Sequence, residues 1–129
     1  MKMIKAVHHI AIICSDYERS KAFYTQLLGF NIIREVYRAE RQSYKLDLAI
    51  HDQYVLELFS FPSPPPRVSN PEATGLRHLA FEVTNLNESV SYLNAQGVLT
   101  EPIRVDEFTG KRFVFFMDPD GLPLELYEI

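Results

Sequence analysis

An internal repeat restricts this chain's fold more than any other feature. His9-Ile10-Ala11-Ile12-Ile13-Cys14-Ser15-Asp16 near the start is answered by His78-Leu79-Ala80-Phe81-Glu82-Val83-Thr84-Asn85. Both are short alternating runs rich in β-branched or aromatic residues, which predicts a strand. Each ends in a helix start: Ser15 precedes Glu18, and Asn85 precedes Glu88, at capping-box spacing. Ser20, Phe23, Tyr24, Leu27 and Leu28 then fall at helical spacing, as do Leu86, Val90 and Leu93. Gly29 and Gly97 supply the left-handed stops.

Further strands follow each helix. Their expected spans are about 30–37, 45–50 and 54–59 in the first half, and 101–105, 112–117 and 122–127 in the second. Asp118-Pro119-Asp120-Gly121 joins the last two as a turn, with proline presetting one dihedral and glycine taking a positive one. Five of the eight prolines lie in Pro62-Ser63-Pro64-Pro65-Pro66 and Pro71, predicting a stiff, extended connection. The chain therefore reads as one α+β domain, 1–129. It contains two β-α-β-β-β modules, at about 5–61 and 75–129, joined by a linker over 62–74.

Composition narrows the function classes. A length of 129 residues with 47% hydrophobic side chains supports one well-buried domain. A net charge of −4 with no basic tract argues against nucleic acid as a partner. The single cysteine, Cys14, excludes an intrachain disulfide and a thiolate zinc site. No stretch reads as a signal peptide or a membrane span, so the expected compartment is the cytosol.

The repeat also selects four chemical groups. His9 and His78 open the first strand of each module, and Glu57 and Glu125 sit inside the last, in Leu56-Glu57-Leu58 and Leu124-Glu125-Leu126. The two histidines are 69 positions apart and the two glutamates 68. Strand alternation puts each glutamate on an otherwise apolar face, where an isolated carboxylate needs a partner. Any one of these residues alone reads as ordinary core or surface. Four at matching places point instead to a divalent first-row metal with room for exchangeable ligands. By the same alternation His8 points toward the helix with Ile10 and Ile12, and His51 belongs to a hairpin turn.

These motifs resemble the vicinal oxygen chelate superfamily and, within it, the glyoxalase I-like (glyoxalase/bleomycin resistance) proteins. The resemblance spans the chain. It rests on His8 to Ile12, Ser20 to Tyr24 leading to Leu28-Gly29-Phe30, Glu57 in Leu-Glu-Leu, Gly75 to Ala80, and Asp118 to Gly121 leading to Glu125. It implies that each module curls into a half-barrel around a metal site with His9, Glu57, His78 and Glu125 as ligands. The implied ion is zinc or nickel, with cobalt, manganese or iron as alternatives.

The implied function is a lyase or isomerase acting on a hemithioacetal, or a related substrate with adjacent oxygens, through an enediolate. Glu125 is the favoured base and Glu57 the alternative. Arg38, Arg41 and Arg112, with Lys111, are the cationic candidates for a substrate tail. Phe59, Phe61, Phe108 and Tyr127 are candidate cavity walls. Glutathione-using relatives carry an arginine at the position of Ile13 and an asparagine at that of Phe61, so two polar contacts to glutathione are missing here. Other readings are an epimerase or dioxygenase of the same superfamily, or a drug-binding protein without a metal. The partners expected are a small-molecule substrate and a second copy of the chain, since open half-sheets need covering. The metal site forms within one chain or across such a dimer.

Overall fold

A computed structural model describes residues 1–129 as two compact units, Met1–Pro66 and Arg67–Ile129. The first contains β1 (Ile10–Cys14), α1 (Tyr17–Ala22), β2 (Asn31–Arg38), β3 (Ser43–Ile50) and β4 (Gln53–Ser60). The second contains β5 (Leu79–Val83), α2 (Leu86–Ala95), β6 (Arg104–Val105), β7 (Arg112–Met117) and β8 (Pro123–Glu128). The sheets run β1-β4-β3-β2 and β5-β8-β7-β6. In each, the first and last strands pair in parallel and the other neighbours antiparallel. Both modules are thus open, four-stranded mixed sheets with the expected β-α-β-β-β order.

Alternation divides each sheet into an apolar face and a site face. In the first unit Leu46, Leu48, Leu56 and Leu58 are buried with Ser20 and Tyr24 of the helical segment. In the second, Val114, Phe116, Leu124 and Leu126 are buried with Leu86 and Leu93 of α2. Each such leucine contributes about 1.5–3 kcal/mol by leaving water. Removing one, as in Leu124→Ala, costs about 2–5 kcal/mol because a cavity remains.

The helix starts differ in one detail from expectation. Asn85 caps α2, its side chain accepting from Glu88 N at 3.1 Å. The cap of α1 is Asp16 rather than Ser15: Asp16 is extended, and its carboxylate accepts from Arg19 N at 3.2 Å. A carboxylate at this end also suits the helix dipole. Gly29 and Gly97 take φ of +83°, as their stop positions require.

Two spans are shorter or busier than the sequence implied. The strand expected over 101–105 is reduced to Arg104–Val105, since Pro102 has no amide to give a ladder. The linker also divides. From Arg67 onward it belongs to the second unit, with Arg67 Nη2 donating to Leu76 O at 2.7 Å and Arg77 O at 3.0 Å. No helix is long and apolar enough to cross a membrane.

Candidate functional site

In the first unit β1 and β4 lie side by side, with Ala11 paired to Glu57. This brings His9 Nε2 to 3.4 Å from Glu57 Oε1. In the second unit Ala80 pairs with Glu125, and His78 Nε2 lies 3.7 Å from Glu125 Oε2. These separations are long for a hydrogen bond. They are close to what two donors on one ion require, roughly 3.4 Å for metal–ligand bonds near 2.1 Å at a tetrahedral angle. The donor chemistry and spacing of both pairs therefore fit half of a metal site. No group of three or more His, Cys, Asp or Glu side chains is gathered in metal-holding geometry.

The two carboxylates live in different surroundings. Glu57 Oε2 receives Tyr54 Oη and Lys45 Nζ, each at 3.1 Å. Both donors also reach Asp47 Oδ1, Lys45 at 2.6 Å and Tyr54 at 2.9 Å, while Arg34 Nε donates to Asp47 Oδ2 at 2.9 Å. Asp47 is fully buried. Burial by itself raises its carboxyl, but the hydrogen bonds from Lys45, Tyr54 and Arg34 prevail and hold it below the ordinary carboxylate range. Burial and the adjacent carboxylates push the Tyr54 phenol up, so it stays protonated and able to donate.

Glu125 has no such donors. On its face of β7 stand Phe113 and Phe115, and Phe115 pairs with Glu125 and meets the His78 ring edge-on at 5.0 Å. The pairing is fixed by the β7–β8 turn. There Asp118 Oδ1 accepts from Asp120 N and Leu122 N, both at 2.9 Å, and Gly121 takes φ of +81°. His78 and Glu125 open into a cleft of about 620 Å³ lined also by Arg67, Arg104, Phe113 and Met117.

His8 departs from the sequence reading. It precedes β1, so strand alternation does not govern it, and its ring turns to His9 and Tyr54 instead of the helix. His8 Nδ1 lies 2.8 Å from His9 Nδ1, which fixes that ring and leaves Nε2 facing Glu57. His51 occupies the β3–β4 turn as expected, at φ +56°.

The proposed substrate contacts separate. Phe59 lies on the Glu57 face, with the Arg38 guanidinium 4.9 Å above its ring and Phe61 stacked beside it. Arg41 sits on an exposed 3₁₀ turn after β2. Arg112 is not a substrate contact: it projects with Val114 and Phe116 to the face opposite Glu125, where Glu128 takes both Nε (2.9 Å) and Nη2 (3.0 Å). That guanidinium is a clamp within the fold.

Sequence reasoning missed Lys45, Asp47, Tyr54 and Arg104. Lys45 and Asp47 were accessible as an alternating charged pair on one strand. Tyr54 was not, because the register shifts between Leu48 and Ala49 and leaves Val55 without a partner. This bulge brings Tyr54 to the Glu57 side. Arg104 stands over Phe113 and Phe115, at 5.1 and 5.4 Å, in the cleft with Glu125.

The chain is 64% identical to the Bacillus subtilis (strain 168) protein YwkD over 126 residues, covering 98% of each. A glyoxalase family protein from Enterococcus faecalis has the same fold, with a TM-score of 0.91 and 52% identity over 98% of this chain and all of that one. A trypanothione-dependent glyoxalase I from Leishmania major matches at a TM-score of 0.72 and 25% identity, over 97% of this chain and 87% of that one. The model of the Glyoxalase/Bleomycin resistance protein/Dioxygenase superfamily matches residues 6–126, and the chain belongs to that superfamily.

Proposed function

We propose that the protein is a metal-dependent lyase or isomerase of the glyoxalase I type, acting on a hemithioacetal or a related small molecule with adjacent oxygens. The observation that carries the reading is the recurrence, once per module, of a histidine nitrogen and a glutamate oxygen spaced for one ion. His9, Glu57, His78 and Glu125 are the proposed ligands, one pair from each module. The ion, when bound, supplies electrostatic stabilisation for the negative charge that develops on the substrate oxygens.

Glu125 is the proposed base. It takes a proton from the substrate carbon that bears the hydroxyl and the thioether sulfur and returns it to the neighbouring carbonyl carbon, while the hydroxyl proton passes to the former carbonyl oxygen. A hemithioacetal thereby becomes a hydroxyacyl thioester, with no external oxidant or reductant. A base must be free to move toward carbon, and no protein donor holds the Glu125 carboxylate. Phe113 and Phe115 keep water from one side of it, and the cleft has room for a small substrate.

Metal content after purification without chelator is the first test, followed by isomerisation assays with methylglyoxal and a panel of thiols. About one divalent ion per chain and thiol-dependent turnover support the reading. A metal-free protein that binds small molecules in the cleft and turns over none of them overturns it in favour of a binding protein.

A further inference from the structure

We propose that Tyr54 and Lys45, backed by Asp47, are positioning residues that preset His9 and Glu57 as the fixed half of the metal site. This rests on the reading above. Tyr54 touches both members of the pair: its ring stacks on His9 at 5.1 Å and 28°, and its hydroxyl reaches Glu57 Oε2. Lys45 holds the same oxygen. Two donors on Oε2 leave Oε1, the atom facing His9, as the one available to an ion. A bare ammonium beside that carboxylate would repel a cation. Asp47, bonded to Lys45 at 2.6 Å, offsets that charge; Arg34, on the other Asp47 oxygen, is more than half exposed, and water screens its charge.

The second module lacks these parts. By register, Phe115 stands opposite Glu125 as Asp47 stands opposite Glu57, and Phe113 opposite Tyr127 as Lys45 opposite Phe59. Leu122, not a tyrosine, lies three residues before Glu125. One glutamate is therefore immobilised as a ligand while the other keeps its freedom. Partners behind a metal ligand typically change affinity about 10–100-fold when removed.

The test is cobalt(II) titration of the full chain, followed by the visible absorption of the bound ion and competition with a chromophoric chelator. Tyr54→Leu, which removes both contacts, and Lys45→Met are each expected to weaken cobalt about 10–100-fold. Tyr54→Phe keeps the stacked ring and is expected to lose less, roughly 3–10-fold, with an altered spectrum. Circular dichroism checks the fold. If Lys45→Met does not fold, the two tyrosine variants decide the matter. Wild-type affinity and spectrum in folded Tyr54→Leu, while Glu57→Ala loses cobalt, overturn the positioning role and leave the metal reading intact. Failure of the wild-type chain to bind cobalt, or unchanged binding by Glu57→Ala, overturns that reading and the proposal with it.

Discussion

Arg112 and Glu128 face each other across β7 and β8, and the same Glu128 carboxylate accepts the Leu86 amide at the start of α2, at 2.8 Å. One carboxylate thus joins two strands to a helix end. Its hydrogen bonds with Arg112 and Leu86 hold it below the ordinary glutamate range. A depressed carboxyl contributes stability above its unfolded pKa and loses it as pH falls through the lower folded value. We expect Arg112→Ala to lower the melting temperature by a few degrees near neutral pH. We expect the gap from wild type to close below about pH 4. Thermal melts across pH measure this, and unchanged cobalt binding separates it from the metal site.

Metal occupancy is the second prediction. Alanine at His9, Glu57, His78 or Glu125 removes one proposed donor and is expected to abolish binding or weaken it more than 100-fold, beyond the loss from a supporting partner. His51→Ala, in an exposed turn, leaves it unchanged. Equilibrium dialysis against zinc and nickel, read by elemental analysis, checks all five. Loss in His51→Ala with retention in His78→Ala would refute the ligand set.

The third concerns the thiol. Glutathione carries two carboxylates and an ammonium, and desolvated charge demands matched partners. Ile13 is 55% exposed on β1, and Phe61 stacks on Phe59 beneath Arg38, so apolar groups stand at the two positions where the family resemblance implies polar contacts to glutathione. We expect weak turnover of the glutathione hemithioacetal. Steady-state assays with nickel, zinc, cobalt and manganese test this. A kcat/KM above roughly 10⁶ M⁻¹s⁻¹ with any of them contradicts it.

Self-association is the fourth. β1 and β2 are the edge strands of their sheet, each paired on one side only, and Ile13, Ile32, Val36 and Tyr37 on them remain exposed. Open edges with apolar side chains favour pairing with another copy. We expect a homodimer, and light scattering that gives a monomer at micromolar concentration would exclude it.

By itself the sequence determined the duplicated β-α-β-β-β order, the Asn85 cap, the glycine stops and the four matching histidines and glutamates. These follow from local rules: period-two alternation, capping chemistry and turn residues act within a few positions, and duplication repeats them. The superfamily was legible for the same reason. Tertiary structure decided what alternation could not count. The bulge at Val55 swung Tyr54 toward Glu57, and His8 turned to His9 because it lies before the strand begins. Arg112 went to the opposite face because its strand phase pairs it with Glu128. Whether a charge is spent on a neighbour or left for a ligand depends on groups far apart in sequence. Lys45 on β3 meets Glu57 on β4 at 3.1 Å, and only the folded register brings the two together.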